Sequence, residues 1–120
     1  MLKEPLFQIT SLTHTDGQIN AELQIDQQNE ILVGHFPDQP VVPGACMLQI
    51  VKEILADTLK ADIVLVCADN IKFLSLVEPS AGSLQLNITY QQAENGLKVS
   101  AGLSAGEKAC MKLQGVFAAR

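Results

Sequence analysis

The chain is short of cations: 8 Lys and Arg stand against 13 Asp and Glu, giving a formal net charge of −5 and a pI of about 4.8. A field of that sign repels phosphate backbones and anionic lipid surfaces, so neither nucleic acid nor membrane is an expected partner. Cysteine is sparse as well. Cys46, Cys67 and Cys110 form an odd number without CxxC spacing, which argues against a disulfide framework and against a zinc ribbon. The two histidines, His14 and His35, have no pair of carboxylates nearby at ligand spacing, so no metal shell and no cofactor is implied. No apolar run approaches the ~18 residues of a membrane span, and Met1-Leu2-Lys3-Glu4-Pro5 lacks the long apolar stretch of a signal peptide. The expectation is a cytoplasmic protein in a reducing compartment. No linker rich in Pro, Gly or Ser and no internal repeat divides the 120 residues, and 48% hydrophobic content can build one core, so residues 1–120 read as a single domain.

What is present is patterned. Two strands, Leu6 to Thr13 and Gln18 to Ile25, are joined through Asp16-Gly17, a dipeptide suited to a tight turn, and Ile19, Ala21, Leu23 and Ile25 alternate as one buried face. From Gly44 to about Leu59 the period becomes helical: Leu48, Val51 and Leu55 make one stripe, with Met47, Ile50 and Ile54 beside it. Pro43 suits the opening of such a helix, because its missing N–H would have no partner there. Ile63-Val64-Leu65-Val66-Cys67 is continuously apolar, as expected of a strand buried on both faces, and Ile71 to Val77 resumes it after a break at Asp69-Asn70. Leu84, Leu86, Ile88 and Tyr90 alternate. Asn95-Gly96 then turns the chain into Leu97, Val99, Ala101 and Leu103, and Gly106 into Met111, Leu113 and Phe117. Two strands, one apolar helix and a meander predict an α+β fold in which a curved antiparallel sheet wraps the helix.

The chemistry concentrates between Gly34 and Gln49. Three prolines, Pro37, Pro40 and Pro43, stiffen the loop that carries His35, since each fixes its own φ and restricts the residue before it. The loop runs straight into the helix, where free N–H groups at Gly44 and Ala45 would point towards a carbonyl oxygen. A base beside donors at a helix amino terminus is what removal of an α-proton from a thioester requires. The base takes the proton and the donors stabilise the enolate-like oxygen. His suits the base role because its unperturbed pKa, about 6.5, lies near working pH.

The run Gly34-His35-Phe36-Pro37-Asp38-Gln39-Pro40-Val41-Val42-Pro43-Gly44 resembles the signature of the 3-hydroxyacyl-(acyl carrier protein) dehydratases. Ile71-Lys72-Phe73-Leu74-Ser75-Leu76-Val77-Glu78-Pro79 is similar to the strand after the helix in the same family. The resemblance implies a hot-dog fold, dimeric, with His35 of one subunit facing the helix of the other and the Gly44 amide holding the thioester carbonyl. It implies a hydro-lyase that converts a 3-hydroxyacyl thioester into a 2-enoyl thioester in fatty acid or related acyl-chain synthesis. The substrate would be carried by acyl carrier protein or coenzyme A. The assembly would be a homodimer, a higher oligomer of dimers or a heterodimer with a related subunit. Phe36 and Pro43 of the motif, Gly44, Ala45 and Leu48 are the substrate contacts expected.

One position departs from the family pattern. The acid that protonates the departing hydroxyl is replaced by Gln49, whose amide can hydrogen-bond a hydroxyl but cannot deliver a proton to it. Glu53 lies one turn later on the same face, roughly 6 Å along the axis. Either Glu53 or a water held by Gln49 would have to supply the proton, so the catalytic set expected is His35, Gln49 and Glu53. Two other functions fit the same residues. A hot-dog thioesterase would use Gln49 to position water, though no carboxylate nucleophile stands at the usual place. A non-catalytic subunit would bind an acyl thioester without turning it over.

The remaining residues have simpler readings. Cys46 is expected to be packed and inert, Cys67 and Cys110 to be core residues, and His14 to be exposed and structural. The Met47/Leu48/Val51/Ile54/Leu55 surface serves as core, as acyl wall, or as both. An acyl carrier protein is acidic, so docking it on this acidic chain would need a local cluster of cations, with Lys52, Lys72 and Arg120 as the candidates.

Overall fold

Residues 7–25, 44–75, 83–94 and 96–119 are described by the computed structural model. Among these residues, six strands and one helix follow in the order β1 (Phe7–Thr15), β2 (Gln18–Ile25), α1 (Gly44–Leu59), β3 (Ile63–Phe73), β4 (Ser83–Ala93), β5 (Gly96–Ala105) and β6 (Lys108–Ala119). They form one sheet of order β1-β2-β4-β5-β6-β3, with every neighbouring pair antiparallel. The expected α+β architecture is therefore present. The helix packs on the face of the sheet where the alternating apolar side chains meet.

Register explains why one face closes so completely. Ile19, Ile88, Ala101 and Leu113 lie side by side across β2, β4, β5 and β6, and Ala21, Leu86, Leu103 and Met111 form the next row. All eight are buried, together with Met47, Ile50, Val51, Ile54 and Leu55 of α1. With side chains alternating across a strand, a slip of one residue would turn every one of these rows outward, so burial itself holds the register. The intervening residues, such as Asn87, Thr89, Ser100, Lys112 and Gln114, stay exposed on the outer face.

Turns and the helix end follow local chemistry. Gly17 (φ 81°) closes the β1–β2 turn and its carbonyl accepts from the Tyr90 N–H at 3.0 Å, which ties the hairpin to β4. Helix α1 stops where Lys60 adopts φ 53° and the Ala61 N–H donates to the Ala56 carbonyl at 3.0 Å. This six-to-one bond is that of a Schellman motif, with lysine in the left-handed position that glycine usually takes.

Strand β3 departs from the sequence-based reading. It is not buried on both faces: Leu65 is 37% exposed and Val66 60%, and Phe73 and Leu74 are exposed too. Cys67, expected in the core, is exposed, whereas Cys46 and Cys110 are buried. The cause is position, because among the described residues β3 pairs only with β6 and stands at the end of the sheet. Nor does the strand break at Asp69-Asn70. Register shifts between Leu65 and Cys67 and between Ala68 and Asn70 absorb the irregularity as bulges. Gly115 of β6 permits this, since a Cβ there would stand 2.6 Å from the Cys67 carbonyl oxygen.

Candidate functional site

Helix α1 begins at Gly44, the residue after Pro43 of the proline-rich motif. The amides of Gly44 and Ala45 thus belong to the first turn, whose N–H groups have no partner within the helix. His35, Phe36 and Pro43 lie outside the described residues, as does Arg120. Leu48 is half-buried and packs against the core cluster, so part of its surface is left to face a ligand.

Gln49 and Glu53 of the expected catalytic set are brought together. The Gln49 Nε2 amide donates to Glu53 Oε1 at 3.2 Å. A spacing of four places both on one helical face, and that face is turned away from the buried stripe: Gln49 is half-buried and Glu53 exposed. The hydrogen bond draws the Glu53 carboxylate back along the helix towards the position of Gln49. With its donor engaged, the Gln49 side-chain carbonyl is left as an acceptor for a hydroxyl or a water.

Glu53 also borders a groove of about 660 Å³ between α1 and β1. Ile9, Leu12, Ile50 and Ile54 supply apolar lining, and Asp57 adds a second carboxylate one turn beyond Glu53. The volume falls within the range that holds small-molecule ligands. The contribution of β1 escaped the sequence reading, because nothing in Phe7, Ile9 and Leu12 announces which side of a helix they will border. Asp57 carried a weak signal in its spacing of four from Glu53.

The other candidates are structural. Cys46 is buried in the first turns of α1, and desolvation pushes its thiol above the ordinary range, which opposes the thiolate that a nucleophile needs. His14 is exposed and hydrogen-bonded through Nε2 to the Tyr90 hydroxyl, linking β1 to β4. Lys52 and Lys72 do not form one cluster: Lys52 is on the helix that covers the inner face, while Lys72 stands on the outer face opposite Lys112.

The ApeI-like family, described as ApeI dehydratase, matches residues 11–113. The chain belongs to this family. The ApeI-like assignment agrees with the solved structures that share the fold. The dehydratase heterocomplex ApeI:P from Xenorhabdus doucetiae superposes with a TM-score of 0.77 at 19% identity, covering 95% of this chain and 98% of that one. An uncharacterized protein from Erwinia carotovora subsp. atroseptica gives 0.73 at 23% identity, with 97% of both chains covered. A candidate thioesterase related to phenylacetic acid degradation, from Ralstonia eutropha JMP134, gives 0.64 at 16% identity, covering 92% of this chain and 83% of that one. A comparison with curated proteins finds no match. The ApeI-like chain is thus a dehydratase-like protein of hot-dog fold, with an open six-stranded antiparallel sheet packed on one helix.

Proposed function

We propose that the protein removes water from a 3-hydroxyacyl thioester, with His35 as base, the amides of Gly44 and Ala45 holding the thioester carbonyl, and Glu53 as acid. The Gln49–Glu53 hydrogen bond carries this reading. It links the residue that replaces the usual acid to the nearest carboxylate on the same face, so Gln49 becomes the positioning residue and Glu53 the proton source. In the reaction, His35 takes the α-proton and charge develops on the thioester oxygen beside the helix amino terminus. The C–O bond at the 3-position then breaks, and the leaving hydroxyl takes a proton from Glu53. Water departs and the conjugated enoyl thioester remains.

The polar face of α1 points away from the chain's own core, so the His35 that meets it would come from a second subunit. The exposed apolar side chains of edge strand β3 offer the surface for pairing. The partner is a second copy of this chain or a related subunit, with substrate delivered on acyl carrier protein or coenzyme A in acyl-chain synthesis in the cytoplasm.

Formation of the conjugated enoyl product, followed by absorbance, tests the reading. Glu53→Gln is expected to lower turnover about 100-fold or more, within the range of general acid catalysis, and His35→Ala to abolish it with the fold intact. Undiminished turnover in Glu53→Gln removes Glu53 from the mechanism. A second reading, a thioester-binding subunit that works beside an active relative, draws support from Gln49 itself and from the heterocomplex among the similar structures. It requires binding without enoyl formation or thiol release in the isolated protein, and appearance of dehydration in Gln49→Glu. Thiol release without enoyl formation would instead mark a thioesterase.

A further inference from the structure

Strand β1 carries one residue more than its partner can pair. Ile9 lies opposite Leu23 and Ser11 opposite Glu22, so Thr10 is an inserted residue, and its Oγ1 donates to the Glu22 carbonyl at 3.1 Å. Directly opposed residues of an antiparallel pair share a face of the sheet. The partner of Ile9 is Leu23 and that of Leu12 is Ala21, both buried, so Ile9 and Leu12 share the inner face. On an uninterrupted strand, side chains three apart point to opposite faces. The bulge at Thr10 is therefore what aims both at the helix, the kind of re-aiming that bulges perform beside functional sites.

The core does not consume this pair. Phe7, on the same face opposite Ile25, is 5% exposed, whereas Ile9 keeps 43% and Leu12 39%. Both border the groove of about 660 Å³, with Ile50 and Ile54 on its helix side. An open aliphatic wall in a groove of that size suits an apolar ligand. The charged groups of the described lining have one sign, being Glu53 and Asp57 without any Lys or Arg. A ligand ending in a carboxylate or phosphate meets repulsion there, and an uncharged chain does not.

We propose that the bulge in β1 makes Ile9 and Leu12 the specificity wall for the acyl chain, which lies against them beyond its 3-carbon, while Asp57 turns away chains with an anionic end. The assignment rests on the thioester reading for the identity of the ligand. Continuity supplies the direction: Glu53 borders the groove, so a 3-hydroxyl held beside Glu53 leaves the following carbons at its opening. Asp57, one turn further from Gln49 along α1, is then met by the outer part of the chain.

Calorimetric titration with unreactive acyl-pantetheine analogues, in which an amide nitrogen replaces the thioester sulfur and the 3-hydroxyl is absent, tests the wall without catalysis. The wild type is expected to bind the ten-carbon analogue about tenfold or more tightly than the four-carbon one, since the added methylenes leave water. Ile9→Thr/Leu12→Thr keeps strand propensity at two partly exposed positions, so its melting temperature is expected to stay near that of the wild type while the preference disappears. A ten-carbon analogue ending in a carboxylate is expected to bind the wild type less tightly than the plain chain, by a factor that shrinks as salt rises, and to gain about threefold in Asp57→Asn. Equal affinity for the four- and ten-carbon analogues, or a preference that survives in the double variant, overturns the wall. Equal affinity for the plain and acid-ended chains overturns the part given to Asp57. Enoyl formation from a four-carbon 3-hydroxyacyl thioester reads the dehydratase reading separately: turnover with equal affinities sinks the wall alone, and a retained chain preference without turnover sinks dehydration alone.

Discussion

The inner rows of β2, β4, β5 and β6 and the edge strand β3 are made from similar residues and have opposite fates. Leu84, Leu86 and Ile88 alternate with polar neighbours and are sealed beneath α1 with no exposed surface. Leu65 and Val66 belong to a run even more apolar, and both are exposed. Hydrophobicity therefore does not decide burial within this chain. Pairing on both sides, with the helix above, buries the central strands. Among the described residues a single neighbour leaves β3 with an unpaired backbone edge, the feature that other chains use for strand addition. If the second subunit sits there, the continuous apolar pattern describes the assembly correctly and the lone chain incorrectly.

The contrast can be broken most severely in the centre. Leu86 is fully buried between Ala21 and Leu103, and Leu86→Ala is expected to cost about 2–5 kcal/mol of unfolding free energy in a denaturant titration. A loss under about 1 kcal/mol would mean that the inner face is less tightly packed than its burial implies. At the edge, Val66→Asp is expected to leave the stability of the single chain within about 0.5 kcal/mol. The same change should weaken self-association about tenfold, or ~1.4 kcal/mol, in analytical ultracentrifugation. An unfolding penalty matching that of Leu86→Ala would place β3 in the core after all.

The smallest effect sharpens the difference between the cysteines. Burial raises the Cys46 thiol above its ordinary value of 9.0. Below that pH the thiol is protonated in the folded and unfolded chains alike. As pH climbs past it the unfolded chain releases its proton first, so stability falls until the raised folded value is passed. Cys46→Ala, whatever its stability at neutral pH, should flatten this alkaline limb by a fraction of the wild-type slope in pH-dependent melting. An unchanged limb would assign the alkaline loss to other groups.

Much of the fold was legible before any coordinates. The alternation in β2, β4, β5 and β6 marked the buried residues correctly, and the helical stripe from Met47 to Leu55 named the side that meets the sheet. The turns at Asp16-Gly17 and Gly106 lie where their composition puts them, because positive φ at glycine is a local property. Of the candidate site, the spacing of four between Gln49 and Glu53 foretold a shared face, and the hydrogen bond between them follows from it. The exposure of β3 and of Cys67 was not legible, since a run of apolar residues looks the same whether its cover comes from its own chain or from another. The partition of Lys52 and Lys72 to opposite sides of the sheet was hidden for a related reason, as was the part β1 plays in the groove.

By itself, then, the amino-acid order determined which residues alternate, where the helix runs and where the chain turns. Those properties depend on neighbours within a few positions, and periodicity and backbone preference suffice for them. Only the tertiary structure decided that β3 is an edge, that Ile9 and Leu12 border Glu53, and that Lys72 stands opposite Lys112. Each is a meeting of segments far apart in the chain, settled by which strand order lets the whole sheet bury its apolar face at once.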